Sequence, residues 1–293
     1  MVGRFCREAE VLARLRHPSI VAILEFGIDR GTLYRVDEFV DGQTLRERLD
    51  TNERGELQFA LGEVREIFSR LADAIGAAHA EGVVHRDIKP ENIMLERVAE
   101  RWHVRVLDFG IARVVDDRSS LAPSRTSEGR VMGTPRYMSP EQLVGDVGAT
   151  GVRSDVFALT AVLYELLTGC GAFDAPTFYE IATKILHDER PRPTAHRAGL
   201  PRALDDVIAR GLAVRPEHRH ASVAELVETL ERAWDSSVRS AAEPSRRSGS
   251  DPRPPCVRWQ RRSRWRRHRR AQRWCTRRRA SRSECERARF HSA

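Results

Sequence analysis

Between positions 85 and 110 the chain gathers its most chemistry-bearing side chains. The string His85-Arg86-Asp87-Ile88-Lys89-Pro90-Glu91-Asn92 sets a carboxylate, an ammonium and an amide close together, and Asp108-Phe109-Gly110 adds a second carboxylate. Gly133-Thr134-Pro135 and Ser139-Pro140-Glu141 follow. Carboxylate and amide oxygens are hard donors of the kind that magnesium takes, and two carboxylates with one amide suit metal ions without overcharging a site. A lone His-Arg-Asp or Asp-Phe-Gly carries little weight, because most such triplets are solvated loops; order and structural context give them meaning. Zinc-type chemistry is not indicated. Cys6, Cys170, Cys256, Cys275 and Cys285 make no Cys-x-x-Cys pair, no histidine cluster has zinc-ligand spacing, and the cysteines read as reduced thiols.

These strings need elements to hold them. Val64, Ile67, Phe68, Leu71 and Ile75 mark one face of a helix that Gly82 ends, directly before the His85 loop. Short apolar runs at Val83-Val84, Ile93 to Leu95 and Val104 to Leu107 bracket the loops. Residues 108–141 form a connection rich in Ser, Thr, Arg and Gly, long enough to be functional. A strongly apolar helix is expected over 154–168, interrupted by Glu165 and stopped by Gly169, with closing helices over 204–212 and 223–234. Upstream, Phe5, Ala9, Leu12 and Leu15 predict a helix over 3–16, and Ile20 to Phe26 with Leu33 to Val40 predict a hairpin.

In this order and context the strings resemble the signature set of eukaryotic-type (Hanks-type) serine/threonine protein kinases, in particular the bacterial members, over roughly residues 1–234. The resemblance implies an α+β, two-lobed protein kinase fold with a mostly helical lower lobe, and a division into 1–40 (upper lobe and hinge), 41–234 (lower lobe) and 235–293 (tail). It implies ATP and Mg2+, protein substrates, and self-phosphorylation as a further outcome. Asp87 would accept the proton of the substrate hydroxyl, Lys89 would place a cation on the transferred phosphate, and Asn92 and Asp108 would hold magnesium. Glu38 and Val40 lie where the hinge would bind adenine through its backbone, and Glu8 matches the helix glutamate that pairs with a strand lysine. Lys89 together with Thr134 implies Ser/Thr rather than Tyr as acceptor. Arg86 implies control by phosphorylation in the long loop, with Thr126 preferred among Ser119, Ser120, Ser124, Thr126 and Ser127. His85, Phe109, Asp155, Glu141 and Arg219 take structural roles: His85 packing under Phe109, Asp155 anchoring the loop backbone, Glu141 pairing with Arg219.

Three positions depart from the pattern. No glycine-rich loop or strand lysine precedes Glu8, and the only lysines are Lys89 and Lys184, so the upper lobe is expected to be truncated. From Met1 the chain is expected to be poorly soluble and nearly inactive, which leaves a non-catalytic scaffold as the alternative. Asp37, just before the hinge, is expected to be a buried carboxylate behind the adenine site. Thr160 stands where the family usually has Gly in the long helix.

The net charge of +8 is unevenly spread. Residues 235–293 hold 19 Arg against 5 acids, whereas residues 1–234 hold 31 basic and 37 acidic residues, so the part expected to fold is mildly acidic. The tail, with Trp259, Trp265 and Trp274 among its arginines, reads as disordered or accidental coding in preference to a nucleic-acid grip. No apolar run is long enough to span a membrane, and a cytoplasmic location is expected.

Overall fold

The computed structural model describes residues 15–29, 32–50, 59–99, 101–109 and 135–240, all within one compact unit. The architecture is α+β: a β-hairpin and a small antiparallel sheet above a body of helices.

β1 (Ile23–Asp29) and β2 (Thr32–Asp37) form the antiparallel hairpin, in register from Ile23↔Asp37 to Asp29↔Thr32 with an irregularity between Ile23 and Glu25. The hairpin starts later than the apolar run predicts. Ile20 bridges Val106 instead, Val21 N–H donates to the Val106 carbonyl (3.1 Å) and Val106 N–H donates to the Ser19 carbonyl (2.8 Å). The front of the run is thus spent on a neighbouring strand. β2 ends at Asp37, where Glu38 N–H turns to the Ala22 carbonyl (2.9 Å).

The second sheet has the order β3 (Gln43–Thr44), β4 (Ile93–Val98), β5 (Arg101–Val106), all antiparallel. Alternation along β4 and β5 buries Ile93, Leu95, Trp102, Val104 and Val106 on the face toward the helices. Gly42 is required here: a Cβ at this position would meet the Leu95 carbonyl at 2.6 Å. α1 (Leu45–Asp50) follows β3 directly.

α2 (Leu61–Ala80) buries Val64, Ile67, Phe68, Leu71 and Ile75 along one stripe, as its spacing requires. Each large apolar side chain so buried contributes about 1.5–3 kcal/mol. Glu63 accepts the Ala60 N–H (2.9 Å) at its start, and Gly82, at φ 75°, ends the turn after it. α3 (Pro140–Val144) leads to α4 (Val152–Thr168), whose residues 154–168 are all buried. A helix buried on every side belongs at the centre: α2, α6 (Pro193–His196), α7 (Ala203–Gly211) and α8 (Val223–Ser240) pack against it, and α5 (Phe178–His187) lies against α3.

Thr160 has an evident accommodation. Its hydroxyl donates to the Val156 carbonyl (2.7 Å), and the facing residue on α7 is Gly211, where a Cβ would lie 2.2 Å from Thr160 Oγ1. Of the five cysteines, Cys170 lies among the described residues, its Sγ 3.7 Å from the Thr168 carbonyl oxygen; the other four lie outside them. Among the described residues, no helix is long and apolar enough to cross a membrane.

Candidate active site

Once α2 ends, the chain must turn sharply toward β4, and the carboxylate of Asp155 at the start of α4 fixes that turn. Asp155 is buried and accepts the backbone N–H of His85 (2.8 Å), the N–H of Arg86 (2.8 Å) and the ring of His79 (2.7 Å). Arg86 takes a left-handed backbone (φ 65°), which costs about 1–2 kcal/mol for a non-glycine residue. Asp155 from one side and Gln142 Nε2, donating to the Arg86 carbonyl (2.7 Å), from the other hold it there.

That turn delivers Asp87. Its Oδ2 accepts Lys89 Nζ (2.6 Å) and Asn92 Nδ2 (3.0 Å), and Asn92 Nδ2 also donates to the Asp87 carbonyl (2.8 Å). The single turn of 3-10 helix at Pro90–Asn92 brings the amide back over the acid. Asp87, Lys89 and Asn92 are therefore one hydrogen-bonded group.

Asp108 arrives from the other strand of the ladder. The last β4–β5 pair is Ile93↔Val106, and Leu107 N–H extends it by donating to the Asn92 carbonyl (2.9 Å), so Asp108 leaves the sheet beside Asn92. It too is left-handed (φ 51°). Backbone strain of this kind at two candidate residues is characteristic of sites that must be held in one geometry.

His85 lies beneath, fully buried, its ring 4.5 Å from that of Phe109. Burial lowers its pKa and favours the neutral ring. Nδ1 accepts the Asp87 N–H (3.3 Å), so the proton belongs on Nε2, which donates to the Leu107 carbonyl (3.0 Å). His85 thus ties the Asp87 loop to the Asp108 strand. Further down, Arg219 grips Glu141 through two hydrogen bonds (2.8 and 2.7 Å) and also donates to the carbonyls of Ala213, Arg153 and Val214. Burial opposes charge on Glu141, but Arg219 and Ser154 prevail and lower its pKa.

In the segment expected to be the hinge, Glu38 accepts the Ala22 N–H (3.3 Å) and pairs with Arg105, Phe39 is exposed and Val40 is half-buried. Asp37 is a correction. It is no isolated buried carboxylate: its side chain is 32% exposed and accepts Arg35 Nε (3.0 Å) and Nη2 (2.7 Å), so a cation on the same strand face meets the cost expected of it. Glu8, Thr126, Thr134 and the serines at 119, 120, 124 and 127 lie outside the described residues.

Two features escaped the sequence reading. Arg35 reaches past Asp37 to Asp108. Its signal was present as opposite charges at alternate positions of an otherwise apolar strand. Glu165, set in the most apolar helix, is buried between Arg46 Nη1 (2.9 Å) and the Tyr137 hydroxyl. An acid in such a helix demands partners, and burial together with Glu165 raises the pKa of Tyr137 well above its ordinary value.

The donor set fits magnesium. Asn92 and Asp108 offer hard oxygens, and the Asp108 side chain is 59% exposed to the cleft. Among the described residues no cluster of three or more His, Cys, Asp or Glu side chains could hold a metal by itself.

The family model for the protein kinase domain matches residues 2–232. The chain is 41% identical over 254 residues to serine/threonine-protein kinase pkn3 of Myxococcus xanthus, covering 83% of this chain and 45% of that protein. It is 39% identical over 227 residues to PknB of Mycobacterium leprae (76% of this chain, 34% of that protein) and 36% identical over 234 residues to PrkC of Bacillus subtilis (80% and 34%). The chain thus spans less than half the length of these curated relatives. Among solved structures it is similar to the PknI kinase domain of Mycobacterium tuberculosis (TM-score 0.59, 27% identity, 79% of each chain). It is also similar to Rad53 1-466 in complex with AMP-PNP (TM-score 0.61, 26% identity, 78% of this chain and 54% of that one).

Proposed function

This chain belongs to the protein kinase family, in its serine/threonine class, and from that premise we propose that it transfers the γ-phosphate of ATP to Ser or Thr hydroxyls of protein substrates, itself among them, in the cytoplasm. The observation that carries the reading is the grouping of Asp87, Lys89 and Asn92. Asp87 offers a carboxylate oxygen to the proton leaving the substrate hydroxyl. Lys89, which donates to Asp87, would turn its ammonium to the phosphate on which negative charge gathers. Asn92 keeps Asp87 aimed through its amide nitrogen, which leaves its amide oxygen for the metal. Magnesium held by Asn92 and Asp108 would supply charge neutralisation on the phosphates. Glu38 to Val40 would receive adenine, consistent with a structural neighbour that binds an ATP analogue.

A second reading, a scaffold without turnover, is favoured by one observation: Arg35 already occupies Asp108. Incubation of the purified chain with ATP, magnesium and a generic protein substrate separates the two. Transfer, however slow, is expected to fall about 10²–10⁴-fold in Asp87→Asn, the usual contribution of a positioned base. Transfer that is absent, or indifferent to Asp87, would favour the scaffold.

A further inference from the structure

The cleft between hairpin and sheet is lined by Ile20, Val21, Ile23, Val106 and Phe109, with three charged groups among them: Arg35, Asp37 and Asp108. Arg35 sits at the centre of the three. Its Nε and Nη2 both donate to Asp37 Oδ2, and the same Nη2 donates to Asp108 Oδ1. β-strand alternation places Arg35 and Asp37 on one face, so their pairing is built into β2, whereas Asp108 comes from the far end of β5. Arg35 is the more sheltered partner at 23% exposure, against 59% for Asp108.

Arg35 engages Oδ1 of Asp108 alone, and its positive charge there opposes the approach of a divalent cation to the same carboxylate. The geometry points to Arg35 as a positioning residue that holds Asp108 until the metal arrives and then stays on Asp37. In this way the Arg35–Asp37 pair sets the magnesium concentration at which nucleotide binds. The inference rests on the reading of Asn92 and Asp108 as the metal-holding residues. Asp37 matters because it gives the displaced guanidinium a second anion, so that releasing Asp108 strands no buried charge. Its own presence in the cleft, odd for an adenine site, thereby acquires a use.

The sign of two substitutions follows. Arg35→Met keeps the apolar stem and removes the competitor, so less magnesium is needed. Asp37→Asn keeps the shape but leaves the whole positive charge on Asp108, so more is needed. An ion pair with one exposed partner is worth up to about 1 kcal/mol, which corresponds to shifts of about three- to fivefold.

The test is binding of a fluorescent ADP analogue to the purified full chain as magnesium is titrated, which reads nucleotide occupancy and not turnover. We expect the half-saturating magnesium to fall in Arg35→Met, to rise in Asp37→Asn, and to lose its effect on binding in Asp108→Asn. If both cleft variants superimpose on the parent while Asp108→Asn abolishes the magnesium dependence, Arg35 has no such role and the metal assignment stands. If Asp108→Asn keeps the parent's dependence, or no variant binds nucleotide at any magnesium concentration, the metal or nucleotide reading falls and this inference with it. Should Arg35→Met fail to fold, the isosteric Asp37→Asn decides alone, and an unchanged or lowered magnesium requirement overturns the proposal.

Discussion

Single side chains in this protein are committed to more than one neighbour, and the commitments differ in kind. Asp155 spends its carboxylate on the backbone N–H groups of His85 and Arg86 as well as on the His79 ring, and so converts an unfavourable Arg86 conformation into a fixed one. Glu141 and Arg219 form a pair at which both charges are buried. Such a pair adds little over an apolar replacement, but removal of one partner leaves an unmatched charge. Arg219→Met is therefore expected to destabilise the chain by about 3–5 kcal/mol, read as a drop in urea midpoint with unchanged slope. A loss under about 1 kcal/mol would mean that water reaches Glu141. The side chains of Asp87 and Lys89 are 26% and 22% exposed and lie outside the core, so their variants should fold and report on the chemistry.

Among elements, the contact of α4 with α7 is the most demanding. Thr160 and Gly211 fill one space, with the Thr160 Cβ itself 2.9 Å from where a Gly211 Cβ would stand. A β-branched side chain cannot rotate out of this conflict. Gly211→Ala should cost about 1–3 kcal/mol by overpacking, although alanine is the better helix former. In a Thr160→Gly background the same change should cost less than about 1 kcal/mol, and thermal melts of the four chains give the coupling. Additive costs would show that the two positions do not compete.

The molecule as a whole should be weakest in acid. His220 is fully buried, and burial with nearby Arg210 lowers its pKa from 6.5 to about 4. The unfolded chain takes up a proton on this ring below about pH 6.5, whereas the folded chain does so only near pH 4. Its contribution is therefore complete above pH 6.5 and declines as pH falls through that window, by about 3 kcal/mol in all. Glu141 and Glu63, held below the usual carboxylate range, add a loss of the same sign at lower pH. Denaturation at pH 7, 5.5 and 4.5 should show the decline, and His220→Gln should flatten its upper part. A parent chain equally stable at pH 7 and 5.5 would remove His220 from the explanation.

Sequence by itself determined whatever depends on neighbours along the chain. The stripe of α2, the apolar α4, the residues that stop them and the close spacing of Asp87, Lys89 and Asn92 are local patterns, and one turn of helix suffices to join the last three. Tertiary structure alone decided which distant groups meet. Ser19 to Val21 pair with β5 and not within the hairpin, because strand alternation names a face but no partner. Arg35 meets Asp108 across 73 positions, and Glu165 meets Arg46 across 119, because both contacts exist only after sheet and helices have docked. Unlike charges along a sequence carry no distance; only the closed chain gives them one.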